Sequence, residues 1–305
     1  MKNANSFFEP VLGVRRLMPE LLNLFKQYQV TSTFATVGFL FCKNKEALVS
    51  GLPSKLPGYH IKQLSPYDGY FDKIGENEQD DNLHYAHSLI RQIVAFGHEI
   101  ATHTFSHYYC LEEGQSPQEF REDLRAAIAT AGEMGLTVRS IVFPRNQYSQ
   151  DYIDVCQELG VRSFRGNERS WMYTPSNGKS QHLAKRACRL LDSYVNLSGH
   201  HVYGYDDIKG SFPYNIPSSA FLRSYNGKMA LFEQLKINRI KRSMTIAAKE
   251  GKVFHLWWHP HNFGTHTQQN LASLNNILAH YQHLHERYHF ESLTMAGLAD
   301  KLDVL

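Results

Sequence analysis

Apolar residues recur at helical spacing in several parts of the chain, and short uninterrupted apolar runs lie between these parts. Leu17, Leu21 and Phe25 share one face of a predicted helix over residues 14–28, and residues 31–38 follow as a predicted buried strand. Further helices are predicted at 84–96, 116–134, 148–159, 229–250, 270–288 and the end of the chain, and further strands at 98–102, 140–143, 161–164, 253–257 and 290–293. Alternating strands and helices predict a parallel α/β sheet or barrel with right-handed crossovers.

Two segments interrupt this alternation. Residues 43–82 are rich in Gly, Pro, Tyr and Asp without clear periodicity, and residues 172–226 read as loops with short elements. Long segments of this kind inside an α/β chain are often insertions that shape an active site. No internal repeat or low-complexity linker is visible. We therefore expect one domain over residues 1–305, with loop insertions near 43–82 and 172–226.

The composition excludes several classes of protein. Of the 305 residues, 42% are hydrophobic and 20% charged, and the net charge is +3, which is typical of a soluble globular protein. Nothing in this balance indicates a nucleic-acid partner. We interpret the one basic cluster, Lys236, Arg239, Lys241 and Arg242, as a solvated helix surface. The oligomeric state stays open.

The spacing of the cysteines and the length of the apolar runs indicate the cellular location of the protein. Cys42, Cys110, Cys156 and Cys188 are scattered and form no CxxC pair, so neither a zinc knuckle nor a disulfide framework is indicated. The first residues lack the apolar core of a signal peptide. No apolar run approaches the roughly 18 to 20 residues that cross a bilayer. The expected location is the cytoplasm.

His103 and His107 are the first candidate functional residues. They lie four residues apart at the end of the strand predicted at 98–102. Neutral imidazole is a common metal ligand, and the carboxyl end of a parallel strand is where α/β enzymes place their reactive groups. A chain with 17 histidines produces such pairs by chance, so the pair alone is weak evidence.

Three further predicted strands also end in polar groups. Arg145 and Asn146 follow one strand, and Arg165 and Glu168 follow the next. Near the end of the chain, a very apolar strand leads into Trp257, Trp258, His259 and His261. Each ending alone is as consistent with an ordinary loop contact, but four together favour an enzyme.

These groups suit metal-assisted hydrolysis. His103 and His107 would hold a divalent ion, and His259 would protonate the leaving nitrogen as general acid. Arg145 and Arg165 would tune the reacting groups or orient the substrate. The expected substrate contacts are Asn146, Glu168, Trp257, Trp258 and His261, in which the two indole rings serve as the wall of a sugar site or simply as core.

The motifs resemble those of the polysaccharide deacetylase family with NodB homology. Residues 103–107, HTFSH, are similar to its H-[ST]-x-x-H metal motif, and residues 33–38, TFATVG, to the strand before it. Residues 256–259, LWWH, are similar to its late L-x-H motif. Its third and fourth motifs are expected at residues 143–146, FPRN, and 165–168, RGNE, although both segments depart from the common forms. The resemblance implies a distorted seven-stranded (β/α) barrel, a divalent metal, with zinc first among the choices, and His259 as the catalytic acid.

The resemblance is incomplete at the start. The family opens with a strand that ends in an acidic pair, which supplies the base and a third metal ligand. Here Asn3 and Asn5 stand in that region, and amides cannot act as the base and are weak ligands. Glu9 is the nearest acid that could substitute. We expect the first strand to be short or missing, and both a start downstream of the natural one and a loss of catalysis remain open.

The leading hypothesis is therefore a cytoplasmic, metal-dependent deacetylase that removes N-acetyl groups from a sugar or glycan intermediate, including lipid-linked ones. The alternative is a catalytically impaired relative that binds a glycan or a partner protein. A different metal amidohydrolase, acting on an amide that is not a sugar, is a third hypothesis.

Overall fold

The computed structural model describes residues 5–69, 71–174 and 183–305. Its helices are α1 Asn5–Gln27, α2 Lys45–Ser50, α3 His87–Ala95, α4 Pro117–Glu133, α5 Gln150–Glu158, α6 Leu183–Asp192, α7 Tyr205–Lys209, α8 Glu233–Glu250, α9 Pro260–Phe263, α10 Thr267–Tyr288 and α11 Met295–Val304. Its strands are β1 Thr33–Thr36, β2 Glu99–Thr102, β3 Ser140–Ile141, β4 Ser163–Gly166, β5 Tyr214–Pro217, β6 Ala220–Phe221 and β7 Leu256–Trp257.

The strands form a parallel arrangement that follows the chain. β1 to β5 pair in sequence order, and β6 pairs with β7 in a second, two-stranded unit. The backbone joins the two units, because the Ser218 N–H donates to the Gly166 carbonyl and the next N–H, of Ser219, donates to the His255 carbonyl, both at 2.9 Å. The carboxyl ends of the strands therefore meet at one edge, as the alternating pattern predicts.

The sheet does not close into a barrel. β1 pairs only with β2 and β7 only with β6, so among the described strands these two have one free edge each. We call the space between these free edges the sheet gap. The α/β class and the parallel sheet are confirmed, whereas a closed seven-stranded barrel is not.

Helix α1 packs through a close approach of backbones. Leu17, Leu21 and Phe25 are fully buried in the main core, together with residues of α3, α8 and α10. On another face, a β-carbon at Gly13 would lie 2.3 Å from the carbonyl oxygen of Gly264, which follows α9. Only glycine at this position allows α1 to lie so close to α9. Helix α1 begins at Asn5, earlier than the helix predicted at 14–28. It occupies the region in which we expected a remnant of the first strand.

Several predicted elements differ from the observed ones. β5 and β6 lie in the region 172–226, which was expected to be mostly loop; the part of that region at 175–182 lies outside the described residues. The strand predicted at 290–293 is wrong, because Ser292 instead exchanges hydrogen bonds with the backbone of Thr31 at 3.1 Å. The strand predicted at 253–257 shortens to β7.

The basic cluster on α8 is only partly a solvated surface. Lys236 is buried, and its ammonium donates to the Arg223 carbonyl at 2.7 Å and pairs with Glu233. Arg239 is also buried and forms an ion pair with Asp192 at 2.7 Å. The prediction was wrong for these two residues, since periodicity does not reveal buried partners. No helix in the described ranges has the length and apolar character needed to cross a membrane.

Candidate active site

One large cavity collects most of the predicted site residues. It has a volume of about 1060 Å³ and reaches from the sheet gap to the carboxyl edge of the sheet. The predicted residues in its lining are His103, His107, Arg145, Asn146, Arg165, Trp257, Trp258, His259 and His261. The loops after β2, β3, β4 and β7 therefore converge, as expected from the parallel topology.

His103 is oriented by the neighbouring strand. Its Nδ1 lies 2.6 Å from the carbonyl oxygen of Val142, so Nδ1 carries the proton and donates it to that oxygen. Nε2 of the neutral ring then keeps its lone pair, which is the form that binds a metal. The ring centroid of His107 lies 4.7 Å away. The two imidazoles of the predicted pair are thus close enough to share one ion.

The loop between these histidines is held by a buried carboxylate. Asp123 on α4 accepts hydrogen bonds from the backbone N–H groups of Phe105, at 2.7 Å, and Ser106, at 3.1 Å, and from the Ser106 hydroxyl. His107 itself has a φ of 60°, in the left-handed region that a side chain rarely adopts, and the three bonds stabilise the turn leading to it. Burial raises the pKa of Asp123 to about 6, against the effect of these donors.

His259 and His261 lie where β7 gives way to α9. Their rings stack with centroids 5.1 Å apart, and the ring of His259 contacts that of Trp257 edge-on at 5.4 Å. His261 is exposed. His259 immediately precedes α9, which packs on α1. The position of His259 therefore depends on the close approach of Gly13 to Gly264.

The two arginines of the site occupy different environments. Arg145 is exposed, has a φ of 53°, pairs with Glu112 at 3.1 Å and covers the Tyr109 ring at 3.9 Å. Arg165 is buried, lies 3.9 Å above the Trp257 ring and donates to the side-chain oxygen of Asn146. Arg165 and Trp257 therefore form one rigid wall of the cavity.

Two predicted substrate contacts have environments that differ from those of the other site residues. Glu168 is buried and lines a smaller cavity of about 190 Å³, which it shares with Arg145, Asn146 and Trp257. Trp258 touches the large cavity, but its ring stacks on Phe263 at 5.7 Å and packs against the main core. Its environment is that of a core residue.

The histidines of the site are neutral at neutral pH. Burial lowers the pKa of His103 well below its usual value, and the nearby charges of His107 and Arg165 act in the same direction. Burial also lowers the pKa values of His107, with a contribution from Arg145, and of His259 to about 4. Neutral imidazoles suit metal binding. His259, however, has to take up a proton before it can donate one.

The donor set falls short of a complete metal site. In residues 5–69, 71–174 and 183–305, no three histidine, cysteine, aspartate or glutamate side chains come together in a way that could hold an ion. Catalytic zinc sites use three protein ligands, and here two imidazoles are available. Glu9 does not fill this place, because it is exposed on α1 and pairs with Arg16 at 3.2 Å. Asn3, also considered at this position, lies outside the described residues.

Sequence reasoning missed two residues beneath the site. The sequence does contain a sign of Asp123, since it is an acid on the buried face of α4 between Phe120 and Leu124. No feature of the sequence indicates a role for His255, because it lies within an apolar run. Burial and the charge of Arg165 lower the pKa of His255 to about 4, and its Nδ1 lies 3.3 Å from the Ile216 carbonyl.

Comparisons with known proteins agree with this architecture. A family model described as "Polysaccharide deacetylase" matches residues 10–164, about half of the chain. A protein from Mycobacterium smegmatis, named as a candidate polysaccharide deacetylase, has a similar structure: the TM-score is 0.53 at 16% identity, over 97% of this chain and 78% of that one. The allantoinase Puue gives a TM-score of 0.50 at 14% identity, over 96% and 72%.

A third structure is less similar. A pseudoenzyme of carbohydrate esterase family 4 from Bacillus anthracis gives a TM-score of 0.45 at 12% identity, over 94% of this chain and 61% of that one. No curated protein gives a significant match. At these identities the structural likeness concerns the fold.

Proposed function

The chain belongs to the polysaccharide deacetylase family, and from this premise we propose that it hydrolyses N-acetyl groups of a sugar or glycan intermediate. The observation that carries the proposal is the position of His103, His107 and His259 in one cavity at the carboxyl edge of a parallel sheet. O-acetyl groups are a less favoured substrate. Lipid-linked glycans belong to the proposed substrate class because they present the same acetamido group.

Each site residue has a proposed role. His259 protonates the leaving amine, and Arg165, stacked on Trp257, orients the acetyl group against the reacting face. Arg145 and Asn146 bind the sugar at the rim of the cavity, with His261 exposed beside them. Glu168 contacts the substrate only if the sugar extends into the smaller cavity. Trp258 contributes mainly to packing.

We propose zinc as the ion that His103 and His107 bind. Both rings are neutral, and His103 is held by the Val142 carbonyl in the tautomer that a metal requires. The described donors are too few for tight binding, so we derive no reaction step through the ion. We also propose a single domain related to a distorted seven-stranded barrel and, on the free thiols, a reducing cytoplasmic location.

A second candidate function is favoured by the incomplete donor set. A chain whose described residues bring two imidazoles together for a metal could bind a glycan in the same cavity without hydrolysing it. The Arg165–Trp257 wall serves either function, because an aromatic face beside polar groups is also a way to hold a sugar.

Acetate release from short oligomers of N-acetylglucosamine separates the two functions. We expect the full chain, incubated with zinc, to release acetate, and we expect His259→Ala to lower the rate at least about a hundredfold because the leaving amine loses its proton donor. His283→Ala is the matched control, since His283 is exposed on α10, away from the cavity lining.

The control variant should keep the full rate. Equal rates for the wild type and His259→Ala would contradict the proposed role of His259. No acetate from protein that equilibrium dialysis shows to carry zinc would contradict the deacetylase proposal and favour glycan binding.

A further inference from the structure

We propose that the smaller cavity beside the active site is a substrate subsite for an anionic group, a carboxylate or a phosphate, carried by the N-acetylated glycan, with Arg223 as its main hydrogen-bond donor. The choice of a glycan as the molecule that carries the anion rests on the proposed function. The affinity of the cavity for an anion follows from its charges and does not depend on hydrolysis.

The smaller cavity adjoins the large one. Four residues line both of them, namely Arg145, Asn146, Arg189 and Trp257. The volume of the smaller cavity, about 190 Å³, is many times the roughly 10–15 Å³ that a single water needs, so a charged group fits there together with part of its sugar. A glycan whose acetamido group lies in the large cavity can therefore extend into the smaller one.

The ring of Phe221 lies between the proposed general acid and the guanidinium of Arg223. The ring centroids of Phe221 and His259 are 5.8 Å apart, and Cζ of Arg223 lies 5.6 Å from the Phe221 centroid. Phe221 also contacts the indole of Trp257 at 4.5 Å, and both rings line the smaller cavity. One aromatic ring thus separates Arg223 from His259, which places the guanidinium within reach of a group on the reacting sugar or on its neighbour.

Most charges in the smaller cavity are balanced within the protein. Its charged lining residues are Glu168, Asp192, Arg145, Arg189, Arg223 and Arg239. Asp192 and Arg239 form a buried ion pair at 2.7 Å, and Arg145 pairs with Glu112 outside the lining at 3.1 Å. The charge of Glu168 interacts with that of the buried Arg165. The remaining guanidinium groups give the cavity an excess of positive charge.

Arg223 is partly buried, and none of the ion pairs in the described part of the chain includes it. Its Nε donates to the Ser193 hydroxyl at 3.0 Å and its Nη2 to the Arg189 carbonyl at 3.4 Å, and both acceptors are uncharged. Burial lowers the pKa of Arg223, and the positive charge of Arg189 acts in the same direction. A bound anion would offset both effects, because the guanidinium fork matches the oxygens of a carboxylate or phosphate.

The other groups of the cavity suit the sugar that carries the anion. The side-chain oxygen of Asn167 is buried without a hydrogen-bond partner among the described atoms, and Asn167 lines the cavity. A sugar hydroxyl would donate to this oxygen, and Phe221 and Trp257 provide an aromatic wall for the ring. A guanidinium donor, an unused acceptor and an aromatic wall together fit an acidic sugar better than a free ion.

The test uses two pairs of probes whose members differ chiefly in charge. The first pair is a hyaluronan tetrasaccharide, in which N-acetylglucosamine alternates with glucuronate, and the methyl ester of the same tetrasaccharide. The second pair is N-acetylglucosamine 1-phosphate and the methyl glycoside of N-acetylglucosamine. Calorimetry measures the affinity of the full chain for each probe in metal-free buffer at low salt, so that neither zinc nor hydrolysis contributes.

Three variants accompany the wild type. Arg223→Gln removes the charge and Arg223→Lys keeps it, while Arg242→Gln is the matched control, because Arg242 is exposed on α8 and lines neither cavity. We expect the wild type to bind at least one charged probe about tenfold more tightly than its neutral counterpart, and Arg223→Gln to lose this preference. Arg223→Lys should bind that probe more tightly than Arg223→Gln does, and Arg242→Gln should behave as the wild type. Added salt should reduce the preference of the wild type.

Equal affinities within both pairs for the wild type would overturn the subsite, and this result does not depend on whether a variant folds. A preference that persists in Arg223→Gln would overturn the placement of the anion in the smaller cavity. Equal affinities of Arg223→Gln and Arg223→Lys for the charged probe, with unchanged affinity for the neutral one, would overturn the role of the charge. A preference confined to the first pair would support a carboxylate, and one confined to the second pair a phosphate.

Acetate release, measured with zinc present, tests the proposed function separately. A preference for a charged probe without acetate release from any of the four would support the subsite and contradict the deacetylase. Acetate release without any difference in affinity between charged and neutral probes would support the deacetylase and overturn the subsite.

Discussion

Asp123 holds Ser106 by two hydrogen bonds, one from the backbone N–H at 3.1 Å and one from the hydroxyl. Because Ser106 immediately precedes His107, this buried carboxylate on α4 sets the direction in which the loop delivers the second histidine of the pair. The Phe105 N–H adds a third bond at 2.7 Å. A helix that contributes no residue to the cavity lining thus orders the loop that carries the proposed metal ligands.

Asp123→Asn should weaken both the fold and the site. The amide keeps one acceptor oxygen but turns an N–H₂ group toward the loop donors, so we expect a loss of roughly 2–3 kcal/mol in the free energy of unfolding. The displaced loop should also weaken zinc binding by about ten- to a hundredfold, as is usual when a ligand loses its support. Urea unfolding and zinc titration measure the two effects.

Asp154→Asn is the control for this change, because Asp154 is exposed on α5 and bonds only Gln150 among the hydrogen bonds described. We expect it to alter the free energy of unfolding by less than about 0.5 kcal/mol. If Asp123→Asn were as mild as the control, the carboxylate would have no role in ordering the loop.

Gly13→Ala should destabilise the protein through the contact between α1 and α9. The added β-carbon would lie 2.3 Å from the carbonyl oxygen of Gly264, so the helices have to separate, at a cost of about 1–3 kcal/mol. The shift should also lower acetate release, because α9 directly follows His259. Thermal unfolding and the acetate assay provide the measurements.

Gly132→Ala offers the matched comparison. Gly132 lies in α4, and a β-carbon there would meet nothing within 4 Å. Alanine is the better helix former, so this variant should gain about 0.5–1 kcal/mol. Similar losses in both variants would mean that the α1–α9 contact is not the cause.

His255 should make the protein less stable as the pH falls. Its pKa is about 4 in the folded chain and near 6.5 when unfolded, so the unfolded state binds more protons between these values. Its contribution is therefore complete above pH 6.5 and decreases by about 2 kcal/mol between pH 7 and pH 5. Asp123, whose pKa is raised, acts in the opposite direction between about 4 and 6.

The variant His255→Gln measures the contribution of His255 to this pH dependence. The cost of the substitution should be smaller at pH 5 than at pH 7 by about 2 kcal/mol, since the variant no longer has a neutral imidazole to lose. His283→Gln, at an exposed position, is the control for the exchange of imidazole for amide. The free energy of unfolding in urea is measured for the wild type and both variants at pH 5 and pH 7. A loss of stability in His255→Gln that is the same at both pH values would contradict the lowered pKa of His255.

The sequence predicted the part of the fold that depends on periodicity. The helical spacing of Leu17, Leu21 and Phe25 and the alternation of polar and apolar residues in β2 placed these elements correctly, and the parallel topology brought His103 and His259 to one cavity. β5 was missed because Tyr214–Pro217 is short and ends in a proline, which is unfavourable inside a sheet.

The details of the site depend on contacts between distant parts of the chain, which periodicity does not contain. The positive φ of His107 and Arg145 requires support from Asp123 and from neighbouring loops. The same holds for the stacking of Arg165 on Trp257. The histidine pair could thus be recognised from the sequence, whereas the orientation of its side chains could not.

Zinc binding by the purified full chain is the most direct test of the account, because the pairing of His103 with His107 underlies the proposed hydrolysis. We expect one weakly bound zinc per chain in equilibrium dialysis, and loss of that binding in the double variant His103→Ala/His107→Ala. His283→Ala should bind as the wild type does. Zinc binding that survives in the double variant, or no binding by the wild type at millimolar zinc, would contradict the account.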